Sequence, residues 1–518
     1  MLRMTKPIIK ATLTRLAASI CMLVLVACGG ATAPESPLEV QSQGQTPDAS
    51  ATSSVQPENS ITQTIDGQVV DRPYLIRYPA DLAKDRYPVV FFFHGAGGNG
   101  EGWLNANPNV AALIDAGEFI GVFPDGYQQR WNSGGETGAD DVEFVSLIVN
   151  DLASSSLVNT DKLYGVGTSN GAGMVNKLAK ETSFFKGIAP IISQQTTAIG
   201  SLVPPQSVSV FQVNGSADDL VPLGGGLGVA SNIFMSAQGS AENWASNFNC
   251  IMTPASRSKT WGDKAVEEYT FSGCLNNKKV RYLIVDGAGH TTSFGDDINL
   301  YGLIWTFFKS TDRESALDIK LLSLGDSYTI GQSVCASCSF PEQLKDNLLY
   351  EYSDRDTMAL EVIAQTGWTT TNLKAAIADE NPSSDFDLVT LLIGVNNQYQ
   401  SKPFDLYETE FIELVDSAIS FVGDDPAKLI VVSIPDYAFT PFGQNYNQEE
   451  ISGELELYND FAEQYCADNG LSYVYITDIT QQGIASPELV ASDRLHPSAL
   501  AYSKFVERIL PVALEKLQ

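Results

Sequence analysis

Histidine is scarce in this 518-residue chain: only His94, His290 and His496 occur. Each imidazole can therefore be weighed individually. Positive charge is also short. Lys and Arg number 31 against 62 Asp and Glu, a formal net charge of −31. Such a chain repels phosphate backbones and anionic headgroups, which argues against nucleic acid and against adhesion to an anionic lipid surface. The apolar run at residues 16–27 is too short for a comfortable membrane span. The seven cysteines form no Cys/His cluster with zinc spacing, so no metal and no cofactor is expected. Apolar residues make up 44% and charged residues 18%, a globular composition with length enough for two cores.

The acidic excess is uneven. Residues 61–310 hold 16 basic and 24 acidic groups, and residues 311–518 hold 11 and 34. That contrast puts a boundary near residue 312. The expected organisation is a signal segment at 1–28, a linker at 29–62, one α/β unit at 63–312 and a second at 318–518.

Arg3, Lys6, Lys10 and Arg15 precede the apolar run, which ends Leu25-Val26-Ala27-Cys28-Gly29. This resembles a bacterial lipoprotein signal, in which cleavage leaves Cys28 as a lipidated N-terminus. Gly29, not Asp, follows the cysteine, which resembles outer-membrane lipoproteins. The expected location is the bacterial cell envelope, facing periplasm or cell surface, with secretion the alternative. The membrane is then a partner only through the N-terminal lipid, and the chain is expected to be monomeric. Residues 29–62, rich in Ser, Thr, Gln, Pro and Ala, bury no core and read as a tether reaching roughly 30 Å.

In 63–312, apolar strand patterns alternate with helical ones, which predicts a mostly parallel, doubly wound sheet. Ligands bind such sheets at the carboxyl ends of the strands. Gly167-Thr168-Ser169-Asn170-Gly171 joins a strand to a helix and fits G-x-S-x-G, whose tight turn exposes the serine hydroxyl. Asp218 follows the strand at 208–213, and His290 follows the strand at 280–285. A serine hydroxyl is a weak nucleophile. It needs an imidazole to take its proton and a carboxylate to orient that imidazole, and the order Ser169, Asp218, His290 supplies both. Spacing alone leaves Asp219 open as the orienting group and His94 open as the base.

The segments FFFHGAGGNGEGW, FPDGYQQRWN, DDVEF, GVGTSNGAGM, NGSADDLVP and DGAGH resemble the polyhydroxybutyrate-depolymerase and feruloyl-esterase family of α/β-hydrolases across the whole unit. The resemblance implies Ser169 as nucleophile, Asp218 as orienter and His290 as base. It also implies oxyanion-binding N–H groups on Ala96 and Asn170, with Arg130-Trp131-Asn132 at the mouth of the cleft. Asn214 stands where the family usually has histidine, a position read as structural. Cys250 and Cys274 are expected to pair in an exported protein, closing a loop worth roughly 3 to 4 kcal/mol.

In 318–518 the alternation begins again, predicting a flavodoxin-like three-layer unit. Gly325-Asp326-Ser327 ends its first strand, Gly367 follows the second, Gly394-Val395-Asn396-Asn397 follows the third, and Asp493-Arg494-Leu495-His496 opens the last helix. Together these resemble the SGNH (GDSL-type) hydrolases. The implied roles are Ser327 as nucleophile, Gly367 and Asn396 with the Ser327 N–H as oxyanion donors, and Asp493 with His496 as base pair. Tyr328 and Asn397 depart from the common Leu and Asp. Cys335 and Cys338 are expected to form a local disulfide at the rim, leaving Cys466 as a buried thiol.

The resemblances imply a tandem serine esterase acting on carboxylic esters. The substrates expected are feruloyl or acetyl esters on polysaccharides. One alternative is an aliphatic polyester depolymerase with an accessory short-chain esterase. The other is a chain in which one unit is degenerate and serves as a binding module.

Overall fold

A computed structural model of the chain describes residues 59–295 and 298–517, all within one compact unit. The signal segment, Cys28 and most of the expected linker lie outside the described residues. Among the described residues, no helix is long and apolar enough to cross a membrane.

The described chain is α/β and builds two large sheets. The first holds β1 (Asn59–Ile65), β2 (Gln68–Arg77), β3 (Tyr87–Phe93), β4 (Ile120–Pro124), β5 (Val158–Thr168), β6 (Phe185–Ile191) and β7 (Ser209–Gly215). A two-stranded ribbon, β8 (Gly226–Leu227) with β9 (Ile233–Phe234), interrupts it. The sheet resumes with β10 (Ala255–Trp261), β11 (Lys264–Phe271) and β12 (Val280–Val285), in the order β1-β2-β4-β3-β5-β6-β7-β12-β11-β10. Its six central strands run parallel, and an antiparallel pair flanks each side. The run Val89-Val90-Phe91-Phe92-Phe93 is buried on both faces: Val89, Phe91 and Phe93 join one apolar cluster, Val90 and Phe92 the other. That alternation is the two-residue period of a strand covered by helices on both sides.

The second sheet is wholly parallel: β13 (Asp318–Gly325), β14 (Thr357–Ala364), β15 (Leu388–Leu392), β16 (Leu429–Val432) and β17 (Ser472–Val474), in the order β14-β13-β15-β16-β17. A third apolar cluster covers it.

The two sheets are joined by more than the connecting chain. The helix Phe340–Glu351 and the turn after it pack against the start of β12, the end of β11 and the start of β10. Arg257 reaches Asn347 Oδ1 at 2.5 Å and stacks on Tyr350, the Gly273 N–H donates to Asp354 at 2.7 Å, and Lys279 Nζ donates to the Tyr352 carbonyl at 2.6 Å. At the centre Arg281, only 2% exposed, donates to Glu351 at 2.6 Å and lies 3.3 Å from Glu268. Burial opposes the guanidinium charge, but Glu268 and Glu351 more than offset it and raise its pKa. These contacts sit where β12 and β14 begin. The carboxyl ends of both sets of parallel strands therefore point away from the seam.

Three sequence expectations need correction. The linker does not extend to residue 62, because β1 begins at Asn59. Gly453 before Glu454 reads in the sequence as a helix start, but the helix is Gln448–Asp468, with Gly453 inside it. The polar hairpins β1–β2 and β10–β11 were not expected as strands at all.

Candidate active sites

Ser169 occupies the turn between β5 and the helix Asn170–Glu181 with φ 55° and ψ −115°, a conformation few residues other than glycine adopt. The two flanking glycines are required by sterics. A Cβ on Gly167 would come within 2.1 Å of the Gly171 carbonyl oxygen, and one on Gly171 within 2.1 Å of the Phe93 carbonyl oxygen. The small-residue spacing read in the sequence is thus the condition for packing this turn between β3 and its own helix.

His290 Nε2 lies 2.8 Å from Ser169 Oγ, and its Nδ1 lies 2.7 Å from Asp218 Oδ2. The other oxygen of Asp218 accepts from the backbone N–H groups of Leu220 and Val221, both at 2.9 Å. This places Asp218, not Asp219, behind His290. The arrangement lets His290 take the Ser169 proton as the hydroxyl attacks a carbonyl, while Asp218 stabilises the imidazolium. The Ala96 and Asn170 residues line the same cleft, a cavity of about 370 Å³. Asn170 is the first residue of its helix, so its N–H has no partner within the helix and is free to meet an oxyanion.

His94 has a different task. Its Nε2 accepts from the Gly126 N–H at 3.0 Å and its Nδ1 lies 2.7 Å from the Gly95 carbonyl, the pattern of a neutral ring protonated on Nδ1. Burial lowers its pKa. It pins the glycine loop and is no base. The Arg130-Trp131-Asn132 loop is held from three sides. The Asn170 side chain exchanges hydrogen bonds with the Trp131 backbone at 2.7 and 3.0 Å, the Trp131 indole donates to the His94 carbonyl at 2.9 Å, and the Asn132 N–H donates to Asp141 at 2.6 Å. Asp141 is itself buried against Arg72 at 2.7 Å. Asn214 sits in a buried amide chain, donating to Gln194 at 2.8 Å and accepting from Gln212 at 2.9 Å. Cys250 and Cys274 form a disulfide.

The second sheet reverses its direction of winding at β13, with β14 on one side and β15 on the other. A crevice opens at such a point. Ser327 sits at the end of β13, between Gly367 after β14 and Asn396 after β15. The Asn396 side chain donates to the Trp368 carbonyl at 3.0 Å, which keeps its amide beside the Gly367 turn. Gly367 has φ 81°, and a Cβ there would meet nothing within 4 Å, so backbone conformation and not crowding selects glycine. Asn397, the departure from the common Asp, is a brace: it accepts from the Thr370 N–H at 2.9 Å and donates to the Thr370 hydroxyl at 2.7 Å.

His496 Nδ1 lies 2.6 Å from Asp493 Oδ2. Asp493 also accepts from the backbone N–H groups of Leu495 and His496, both at 3.0 Å, and from the Ser333 hydroxyl at 2.7 Å. Partial burial works against the Asp493 charge, yet Ser333, His496 and the two N–H groups hold its pKa down to about 2. Ser333 was not singled out in the sequence. It lies just before the Cys335–Cys338 disulfide, which places that bridge at the site. Among the described residues no hydrogen bond joins His496 to Ser327, so this second pair of groups is less closed than the first. Beside Ser327, Asp326 is fully buried, and burial pushes its carboxyl up to about 7 although the Tyr328 N–H partly offsets this. Cys466 is a free, buried thiol, pushed up to about 12 by burial.

Residues 323–504 match the GDSL-like Lipase/Acylhydrolase family. The match contains Ser327, Gly367, Asn396, Asp493 and His496. The chain is also 25% identical over 238 residues to feruloyl esterase B of Piromyces equi, covering 43% of each protein. It is 24% identical over 252 residues to a probable feruloyl esterase C of Aspergillus niger, covering 46% of this chain and 85% of that one. Among solved structures, an acetyl xylan esterase of Geobacillus stearothermophilus is 19% identical with a TM-score of 0.30, over 38% of this chain and 94% of that chain. The chain spans less than half the length of two of the curated relatives it matches.

Proposed function

We propose that the chain is an exported carboxylic ester hydrolase with two serine sites, one built on Ser169 and one on Ser327. The observation that carries the reading is the hydrogen-bonded line from Ser169 through His290 to Asp218 at the mouth of a cleft. The match of residues 323–504 to an acylhydrolase family supports the second site. The feruloyl esterase relatives favour feruloyl esters as substrates, and we read such esters, with acetyl esters, as carried on polysaccharides. The fold reading that goes with it is an α/β-hydrolase unit followed by an SGNH unit, tethered to the cell envelope through Cys28. Both catalytic edges face away from the seam, so the two sites work on separate ester groups and do not hand one substrate between them.

A second reading, an aliphatic polyester as the Ser169 substrate, is favoured by one feature. The ribbon beside the cleft exposes apolar side chains: Leu227 is 72% exposed, Ile233 56% and Val229 45%. A substrate panel decides between the two. Wild type, Ser169→Ala and Ser327→Ala are assayed on methyl ferulate, acetylated xylan and a polyhydroxybutyrate film. Loss of feruloyl release in Ser169→Ala alone supports the first reading, and loss of film erosion with no feruloyl activity in wild type supports the second. Unchanged activity on every ester in both variants rejects the esterase assignment.

A further inference from the structure

Two cavities away from both catalytic serines run together at the seam. One, of about 400 Å³, is lined by Lys84, Arg86, Lys162, Lys309 and Arg313 among others, and the next, of about 530 Å³, adds Lys186, Lys278 and Arg355. They share Lys162, Asp312 and Arg313, so they form one continuous groove. Eight basic side chains line it against five acidic ones, on a chain where acids outnumber bases 62 to 31. A quarter of the chain's cations collect in one concavity, which composition does not require.

Some of these charges are used internally. Lys278 pairs with Asp312 at 3.0 Å, and Arg313 with Asp356 at 2.5 Å. Lys162 and Lys186 have no ion-pair partner among the described residues, and both are half-buried. Burial lowers the pKa of Lys278, Asp312 raises it, and Lys186 and Lys162 lower it again, so three ammonium groups feel one another here. Mutual repulsion in a partly desolvated groove is relieved by an anion. Its cations are divided between the two cavities, with Lys84 and Arg86 lining one and Lys186 and Arg355 the other. A single small anion would answer only part of that array.

We propose that the seam groove binds an acidic oligosaccharide, a sugar chain carrying carboxylates at successive residues, with Lys162 and Lys186 as its central contacts. The inference rests on the polysaccharide-ester reading for its choice of ligand. It implies that a charged stretch of the polymer is held at the seam while esters elsewhere on it reach the serine sites. Because Tyr352 and Arg355 belong to the second sheet's unit and Lys84 and Lys162 to the first, the ligand would also bridge the two.

The test is calorimetric titration of the full chain with unesterified tetragalacturonate, which contains no ester, so failure here is separable from failure of the esterase reading. Xylotetraose and sodium sulfate are the comparators. The expected result is one tetragalacturonate per chain, with affinity falling as salt is raised, since screening acts over about 10 Å at 0.1 M. Lys162→Glu with Lys186→Glu should weaken binding by at least about tenfold, while hydrolysis of 4-nitrophenyl acetate stays at the wild-type rate. The Lys162→Gln, Lys186→Gln pair reads the same loss if charge reversal impairs folding. Equal binding of xylotetraose, binding of sulfate as tight as that of the tetramer, no binding at all, or binding unchanged in both double variants would overturn the proposal.

Discussion

Ser169 Oγ stands 2.8 Å from His290 Nε2, whereas Ser327 has no hydrogen bond to His496 among the described residues. The difference orders the two sites. The first is assembled for proton transfer. In the second, the side-chain hydrogen bonds of the His496 ring and the Asp493 carboxylate join them to each other and to Ser333, not to Ser327.

Asp218 and Asp219 are neighbours with opposite expected phenotypes. Asp218→Asn leaves the packing intact but presents the wrong partner to the His290 Nδ1–H. By analogy with other serine triads, kcat for the Ser169 ester should fall by about 10³–10⁴. Asp219→Asn should stay within about threefold of wild type, since no catalytic hydrogen bond is lost. Steady-state kinetics on the ester that Ser169→Ala fails to cleave checks both.

The turn at Ser169 makes a stability prediction. Gly171→Ala places a methyl group against the Phe93 carbonyl oxygen, where a Cβ would lie at 2.1 Å. Either the helix or β3 must shift, at a cost of about 3 kcal/mol. A lowered urea midpoint with loss of Ser169 activity is the expected outcome. Normal stability and activity would show that the turn is looser than the geometry indicates.

The buried Asp326 and the more exposed Asp493 act in opposite directions on stability. The folded-state pKa of Asp493, about 2, lies below its ordinary value of 3.8, so its contribution is present above pH 4 and is lost as pH falls toward 2. The folded-state pKa of Asp326, about 7, lies above 3.8, so its contribution is present below pH 4 and is lost as pH rises through 7. Asp326→Asn cannot ionise. It should be more stable than wild type at pH 8 by on the order of 2–4 kcal/mol, with the difference shrinking toward pH 4. Urea unfolding of both proteins across pH 4–8 measures this.

Arg281 holds the seam. Arg281→Met removes the guanidinium and leaves Glu268 buried, with Glu351 also without this partner, at a cost of about 3–5 kcal/mol. Adding Glu268→Gln should restore part of that loss. Differential scanning calorimetry of the single and double variants gives the comparison, and an unchanged melting temperature in Arg281→Met would remove Arg281 from its central place at the seam.

Much of this fold was legible because its central strands are continuous apolar runs such as YPVVFFF. The edge hairpins were not, because ASRSKTW and KAVEEYTF alternate charge and polarity along strands with one wet face. Histidine scarcity made both acid–base pairs legible. What stayed hidden depends on distant pairing. Ser333 reaches Asp493 across 160 residues and Arg281 reaches Glu351 across 70, and no local pattern announces either. Spacing alone leaves Asp219 open beside Asp218; the family resemblance implies Asp218, and the His290 ring lies 2.7 Å from its carboxylate.

The most direct test of two independent serine nucleophiles is intact-mass spectrometry after reaction with a fluorophosphonate. Wild type is expected to take two labels, Ser169→Ala and Ser327→Ala one each, and the double variant none. A single label on wild type, or a label persisting on the double variant, would contradict the two-site account.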